Sequence, residues 1–305
     1  MKNLLIIIFL CFCSSLTFSQ EIVVSSRPRG SGDPILGNAK SNNKTDETFD
    51  ASIRCYYTFS QTNANTGKLI RTDTMALLVG DTQSKFYNPA KYSRDSIFAS
   101  ILSNLNMSEI RSVSVVKNQD LGDLSSGPGE TSSISSNDGE SYQIVKDRNT
   151  NSLLFHDYFE MSKDSYGYND KPVFSWKISQ DTASILGYPC QKATVNFRGR
   201  TYTAWFSTDI PINDGPWKFM GLPGLILKIS DSKDLFGFEL IGIENIAEPI
   251  AVQIHKAKYE CNHKQFEGMK KKQGGGMQIN INNGNIIIAS APGKYNYNPI
   301  ELEIK

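Results

Sequence analysis

The sequence predicts a mainly β protein, in which an antiparallel meander forms a curved, half-barrel-like sheet with one or two covering helices. Three observations lead to this fold class. Several short segments alternate apolar and polar residues with a period of two, clusters of Gly, Asn, Asp and Ser separate these segments, and strand-like segments follow one another directly. Because such strands usually pair with their neighbours, the sheet is expected to be mostly antiparallel.

The first two strands are predicted at residues 53–59 and 72–79, on either side of an Asn-Ala-Asn-Thr-Gly turn. Apolar residues at helical spacing between 97 and 105 then predict a helix, which we expect to cover the sheet. Ser93 or Ser96 is a suitable N-cap for this helix, because a serine side chain can accept a hydrogen bond from the first helical turn.

The second half of the chain continues the same pattern. Residues 193–207 predict a hairpin with a tight turn at Arg198 and Gly199. Residues 236–243 extend the sheet as a further strand, and residues 263–272 predict a second, short helix.

Residues 221–226, Gly-Leu-Pro-Gly-Leu-Ile, combine restricted backbone geometry with apolar side chains. Pro223 fits position i+1 of a type II turn because its φ is fixed, and Gly224 fits position i+2 because that position needs a positive φ. The apolar run from Leu225 to Ile229 is expected to leave the turn as a strand. Pro223 and Gly224 are therefore predicted to form a structural turn.

The chain divides into three parts. Residues 1–19 have the basic start, apolar centre and small-residue cleavage site of a Sec signal peptide. Residues 20–48 are polar and rich in Ser and Gly, which predicts a flexible segment. Residues 49–305 are expected to form a single β-rich domain with a disordered insertion at about 118–141, where apolar side chains are scarce.

The signal peptide predicts export to the periplasm or the medium. No later segment has the roughly 20 apolar residues that a transmembrane helix needs, so none is expected after cleavage. The chain has 32 basic and 31 acidic residues, and this balance argues against nucleic acid as a partner.

Three cysteines follow the predicted cleavage site, namely Cys55, Cys190 and Cys261. They can supply one disulfide and one free thiol, or three buried thiols. If a disulfide forms, Cys55 and Cys190 are the expected pair, since both lie in predicted strands that can be neighbours.

The sequence does not assemble a catalytic or metal site. It lacks the Gly-x-Ser-x-Gly segment of many serine hydrolases, and its only histidines are His156, His255 and His263. Cys261, His263 and His255 could supply three zinc ligands, but no fourth ligand has suitable spacing. The sequence therefore predicts a protein that is not an enzyme and that binds no metal or cofactor.

Aromatic residues offer a better candidate site. Trp205, Trp217, Phe219 and Leu222 place a large apolar area within a short, Pro- and Gly-rich segment. They are the predicted ligand-binding residues, because an exposed apolar groove is typical of ligand and peptide sites. The alternative is that the same side chains fill the core where the hairpin leads into the next strand.

Further sequence blocks accompany the motif at 221–226, at residues 77–80, 84–87, 187–193, 199–205, 209–211, 215–219 and 297–303. Together they resemble the GLPGLI family of Bacteroidetes, also called the Porph_ging family. The resemblance implies an exported envelope protein of unknown molecular function. We expect it to bind an apolar or peptidic ligand without catalysis, with a peptide or lipid as its partner.

The resemblance also implies an alternative role. Members of the family are often encoded near TonB-dependent outer-membrane receptors, so the chain can instead be an accessory or structural component of such a transport system. The meander with its covering helix is similar to the half-barrel of the periplasmic lipoprotein carriers. This is a likeness of fold, and it implies nothing about the ligand.

Overall fold

Strands predominate in the computed structural model, which describes residues 40–41, 47–104, 108, 110, 112–117, 132–135, 139–158, 165–272, 277–282, 285–290 and 299–302. The strands are β1 Lys40–Ser41, β2 Glu47–Thr62, β3 Leu69–Gly80, β4 Gln83–Tyr87, β5 Ser112–Lys117, β6 Ser132–Ser135, β7 Gln143–Asp147, β8 Ser152–Tyr158, β9 Ser165–Asp170, β10 Lys177–Ile185, β11 Tyr188–Phe197, β12 Arg200–Ser207, β13 Leu225–Asp231, β14 Phe236–Ile254, β15 Tyr259–Glu260, β16 Met277–Asn282 and β17 Asn285–Ser290. The helices are α1 Pro89–Asn104 and α2 His263–Lys272.

Thirteen strands form one sheet in the order β1-β15-β9-β8-β7-β4-β3-β2-β14-β13-β12-β11-β10. Neighbouring strands in this sheet run antiparallel, except for β15 and β9, which are parallel. The sheet ends at β1 and β10, so it does not close into a barrel. The other four strands form a second sheet in the order β5-β17-β16-β6. The predicted mainly β, mostly antiparallel fold class is thus confirmed.

The large sheet curves back towards itself. Asp170 lies at the end of β9, the third strand of the sheet, whereas Arg198 lies in the turn between β11 and β12, at the opposite side. Nevertheless, an Arg198 nitrogen lies 2.7 Å from an Asp170 oxygen. Such a contact requires the intervening strands to bend around a common core, in the way that a twisted antiparallel sheet coils.

The core fills the concave side of this sheet. Alternate residues of the central strands point into it, as the period of two predicts, and Phe59 of β2 stacks on Phe238 of β14 with ring centroids 4.8 Å apart. Phe86 of β4 meets Phe238 edge to face at 5.8 Å. The first pair joins neighbouring strands, whereas the second spans the core between β4 and β14, which β3 and β2 separate in the sheet.

Helix α1 begins earlier than the apolar pattern predicts. Asn88 is its N-cap, because the Asn88 side-chain oxygen accepts a hydrogen bond of 2.9 Å from the Lys91 amide. Pro89 follows at the first helical position, where a missing N–H costs nothing. Ser93 and Ser96 therefore lie inside the helix, and their prediction as N-caps was wrong.

Helix α2 spans the predicted residues 263–272. Its first turn is held by a reciprocal capping box. The Gln265 amide donates to the Asn262 side chain at 2.8 Å, and the Asn262 amide donates to the Gln265 side chain at 2.9 Å.

The predicted hairpin at residues 193–207 is confirmed as the pair β11 and β12, whose pairing begins at Gln191 and Phe206. Arg198 and Gly199 both have a positive φ, 44° and 83°. Two adjacent residues with positive φ are typical of the type I′ turn, whose twist matches that of the paired strands.

Two predicted irregular segments contain strands. Within residues 20–48, Lys40–Ser41 pairs with Tyr259–Glu260, and β2 begins at Glu47. Within residues 118–141, Ser132–Ser135 pairs with β16. Most of both segments lies outside the described residues, so the flexibility of 20–48 and the disorder of 118–141 stay predictions. The predicted signal peptide at residues 1–19 lies outside the described residues.

Candidate functional site

Three of the four predicted ligand-binding side chains lie in the core. Trp217 is 3% exposed, Phe219 is 0% exposed and Leu222 is 1% exposed. Only Trp205 is partly exposed, although it also packs against the core, and its backbone pairs with that of Lys228 in β13. These three side chains therefore fill the core, which is the alternative that the sequence left open for them.

The rings of the aromatic corner contact one another closely. The Phe219 ring lies 4.8 Å from the Tyr202 ring and 5.2 Å from the Trp217 ring, and it also contacts Phe197 and Phe174. Trp217 has a positive φ of 52°, which is uncommon for a bulky residue. We call these five residues the aromatic corner.

The predicted type II turn at Pro223 and Gly224 was wrong. Gly224 does not have the positive φ that this turn requires at position i+2, whereas Gly221 has a φ of 97°. Gly224 is needed for a different reason. A Cβ atom at Gly224 would lie inside the van der Waals radius of the Ser207 carbonyl oxygen, so only glycine lets the two backbone segments approach. Strand β13 then begins at Leu225, as predicted.

A buried cluster of charges lies beside the aromatic corner, and we call it the Glu301 cluster. Lys218 Nζ lies 2.8 Å from Glu301 Oε1 and 3.3 Å from Asp170 Oδ2, and it donates to the Tyr168 hydroxyl at 3.0 Å. Arg198 joins the same two carboxylates at 2.6 and 2.7 Å. Two cations and two carboxylates thus surround one another with little access to water.

The protonation of the Glu301 cluster follows from these contacts. Burial alone would raise the pKa of Glu301, but the Lys218 charge and the adjacent His263 outweigh it and lower the pKa to about 2. Burial would lower the pKa of His263, but the Glu267 and Glu301 carboxylates raise it instead. The His263 Nε2 atom lies 2.6 Å from Glu301 Oε2. Glu301 is therefore ionised at neutral pH.

Residues 299–302 pass over this cluster, and we call them the strap. The strap is not part of a strand, and side chains hold its backbone. Arg200 donates to the carbonyl of Ile300 at 2.9 Å and to the carbonyl of Pro299 at 3.0 Å, and the Tyr202 hydroxyl donates to the carbonyl of Ile300 at 3.1 Å. The Leu302 amide donates to the Arg198 carbonyl at 3.0 Å.

A second buried ion pair holds the segment that connects β12 to β13, on the other side of Trp217 from Lys218. Lys146 and Asp214 contact each other, and both side chains are 0% exposed. Arg148 lies 3.3 Å from the second oxygen of Asp214. Burial lowers the pKa of Lys146 despite the opposing effect of Asp214. Ion pairs therefore anchor both Asp214 and Lys218, on either side of Trp217.

Cys55 and Cys190, the expected pair if a disulfide forms, do not pair, because both cysteines and Cys261 are free thiols. Cys55 lies in β2 and Cys190 in β11, and β14, β13 and β12 separate these strands. Four strand spacings amount to about 19 Å along the sheet, whereas a disulfide needs Cα atoms within about 7 Å. Burial raises the pKa of Cys55 to about 12 and that of Cys261 to about 11.

The histidines considered as zinc ligands have separate partners. His255 Nε2 lies 3.2 Å from the Tyr92 hydroxyl, whereas His263 faces Glu301. The described residues contain no group of three or more His, Cys, Asp and Glu side chains placed to hold a metal ion. No helix in the described ranges is long and apolar enough to cross a membrane.

A groove of about 320 Å³ lies on the sheet face opposite the core. Lys228 and Glu239 of neighbouring strands form an ion pair of 2.9 Å at this groove, and Trp205 is the cross-strand neighbour of Lys228. Ile241, which is 50% exposed, adds an apolar wall. The other exposed-face residues that line the groove include Thr58, Ser60, Ser230, Asp234 and Gly237.

Sequence reasoning missed both buried ion clusters and the groove. Lys218 and Glu301 belong to two of the sequence blocks, at 215–219 and 297–303, but an isolated lysine and glutamate carry no sign of their pairing. Exposed residues of alternating strands form the groove, so only the register of β2, β13 and β14 brings them together.

One family model matches the chain, over residues 197–228, and its description is "Protein of unknown function (Porph_ging)". This is the family that the sequence blocks indicated, so the resemblance is confirmed over those residues, which include Trp205, Trp217 and Phe219. No curated protein matches the chain.

Two solved structures of PNGF-II are similar to the chain, with TM-scores of 0.43 and 0.41 and identities of 12% and 13%. They match 72% and 65% of this chain, which covers 33% and 28% of those proteins. The chain thus spans about a third of their length, and a likeness at this level carries no argument about function.

Proposed function

We propose that this Porph_ging-family chain is an exported, non-catalytic protein that binds an apolar or peptidic ligand in the groove beside Trp205. The observation that supports the proposal is the combination of a concave surface with a partly exposed tryptophan on the same sheet face. The groove volume of about 320 Å³ is at the lower end of the range for ligand sites.

The chemistry of the groove suits a short peptide. Ile241 offers apolar surface to a peptide side chain, while Lys228 and Glu239 offer a donor and an acceptor to the peptide backbone. Trp205, the cross-strand neighbour of Lys228, offers a second apolar surface beside the groove. Both charged side chains are about half exposed, so a ligand can compete with their mutual ion pair at small cost. Aromatic and aliphatic anchors surrounded by polar groups are typical of peptide interfaces.

The state of the nucleophilic groups supports a role without catalysis. Burial raises the pKa of Cys55, Cys190 and Cys261, which keeps all three thiols protonated near neutral pH. The carboxylates of the Glu301 cluster are paired with Lys218 and Arg198. The signal-peptide features of residues 1–19 support the proposed export.

Thermal shifts and native mass spectrometry test the proposal with a set of apolar peptides and lipids. We expect at least one peptide to raise the Tm of the wild-type protein, and Ile241→Gln to abolish that gain. Ile178→Gln is the matched control, because Ile178 is 49% exposed and does not line the groove, against 50% for Ile241. The proposal fails if no compound raises the Tm, or if both variants behave like the wild type.

Cross-linking in cells from position 241 separates a soluble ligand from a membrane partner. Capture of a peptide supports the proposal. Capture of an outer-membrane β-barrel protein would instead favour the alternative, an accessory component of a TonB-dependent transport system.

A further inference from the structure

The strap is bound to the rest of the molecule in the manner of a peptide ligand. Side chains of the β11–β12 hairpin hold its backbone, through Arg200 and Tyr202, and the carboxylate of Glu301 enters a pocket of cations. Backbone contacts combined with a side-chain pocket are the usual elements of peptide recognition. Ile300 adds an apolar contact with the core.

The pocket for the Glu301 carboxylate selects this group by charge. Lys218 and Arg198 bind one of its oxygens at 2.8 and 2.6 Å, and His263 lies 2.6 Å from the other. A glutamine in the same place would keep the shape but lose the charge that these contacts stabilise.

The walls of this pocket are also held together without the strap. Arg198 and Lys218 both contact Asp170, and Lys218 donates to the Tyr168 hydroxyl. Arg200 contacts Asp231 at 3.3 Å. Without Glu301, Lys218 and Arg198 would share Asp170 as their remaining carboxylate partner, while His263 would keep Glu267 at 3.6 Å, so one permanent positive charge would be left in excess. The site is therefore preformed and keeps an attraction for a carboxylate.

We propose that residues 299–302 are an intramolecular ligand, bound in a peptide site that recognises a carboxylate. An extended peptide with glutamate in the position of Glu301 competes with the strap for this site. The site is distinct from the groove beside Trp205 and does not depend on it. A ligand attached to its own receptor competes at millimolar effective concentration, so the free peptide binds weakly while the strap is intact.

The probe is the labelled hexapeptide Asn-Pro-Ile-Glu-Leu-Glu, which repeats residues 298–303. Fluorescence anisotropy with the full chain measures the Kd of this hexapeptide. We expect the Kd to be at least about tenfold lower for the Glu301→Gln protein than for the wild type, because the variant strap competes less well. A hexapeptide with glutamine as its fourth residue should bind the Glu301→Gln protein at least about tenfold more weakly than the glutamate hexapeptide does. Absence of binding, or equal binding of both peptides, would overturn the proposal.

Hydrogen exchange of the wild-type protein keeps the proposal testable if Glu301→Gln does not fold. The Leu302 amide, bonded to the Arg198 carbonyl, should exchange faster than the Ile226 amide, bonded to the Asp214 carbonyl, because a ligand-like strap opens without global unfolding. Equal exchange would show that the strap opens only with the whole fold. Size-exclusion chromatography tests whether the strap binds the site of its own chain. A dimer in which two copies exchange their straps would contradict the intramolecular assignment.

Discussion

Lys146 and Asp214 form an ion pair that is closed off from solvent, with both side chains 0% exposed. Lys146 lies in β7 and Asp214 in the segment before Trp217, so the pair connects that segment to the centre of the sheet. The Lys146 ammonium also donates to the Gly215 carbonyl at 2.5 Å. A lysine in such a place is tolerated only while its charge has partners.

The first prediction follows from this pair. Asp214→Asn should lower the free energy of unfolding by about 3–5 kcal/mol, because it leaves the Lys146 charge buried without its carboxylate. Urea denaturation measures the change. The double variant Lys146→Met, Asp214→Leu should recover part of the loss, since it removes both charges. A loss below about 1 kcal/mol in the single variant would contradict the buried pairing.

The second prediction concerns pH and Glu301. Its pKa falls from 4.5 to about 2 on folding, so Glu301 contributes stability above pH 4.5 that is lost as the pH falls towards 2. Glu301→Gln should cost on the order of 3 kcal/mol at pH 6, and the difference from the wild type should shrink below pH 4.5. Glu239→Gln is the control, because this carboxylate is half exposed and its pairing contributes under about 1 kcal/mol.

The third prediction concerns His263, whose contribution to stability should depend on pH in the opposite direction. Because its pKa is raised from 6.5 in the folded protein, its contribution is fully present below pH 6.5 and is lost as the pH rises through the folded value. We expect His263→Gln to destabilise the protein more at pH 5.5 than at pH 9, as measured by urea denaturation. A constant difference across this range would show that His263 is not protonated beside Glu301.

The fourth prediction tests the close approach at Gly224. Gly224→Ala should lower the free energy of unfolding by about 3 kcal/mol, because the added Cβ atom meets the backbone of Ser207 and Thr208, which cannot rotate away. Gly242→Ala is the matched control, since no atom lies within 4 Å of its added Cβ. That substitution should be neutral or slightly stabilising. Equal effects of the two changes would argue against the packing at Gly224.

The fifth prediction concerns the thiols. Iodoacetamide labelling followed by peptide mapping should find Cys55, Cys190 and Cys261 all reactive in denaturant, because none is in a disulfide. In the native state Cys261 should react first, since it is the only partly exposed thiol of the three. Its raised pKa of about 11 should still make it slower than an exposed cysteine. Protection of Cys55 and Cys190 in denaturant without reductant would reveal a disulfide.

Local patterns predicted the elements that depend on local interactions. The alternation at residues 53–59, the turn at Arg198 and Gly199, and helix 263–272 all appear in the structure. The prediction of a type II turn at Gly224 was wrong, because glycine serves both a positive φ and a close backbone approach, and the sequence does not distinguish these uses. Cys55 and Cys190, the expected pair if a disulfide forms, do not pair, because their strands are not neighbours in the sheet.

The candidate sites depended on tertiary structure to a greater degree. Composition showed that Trp205, Trp217 and Phe219 carry a large apolar area, but it did not show that only Trp205 remains partly exposed. Glu301 and Lys218 are 83 residues apart, and no spacing rule connects them. Both facts follow from the curvature of the sheet, which brings its two sides together.

The sequence by itself determined the fold class, the major hairpin, the second helix and the family resemblance, because alternation, turn chemistry and motifs act over short stretches of chain. Only the tertiary structure decided which aromatic residues are core, which charges are paired and where a groove remains. The physical reason is that burial and pairing depend on neighbours that are distant in sequence. A charge such as Lys146 or Lys218 can be buried only after the fold has brought its carboxylate to it.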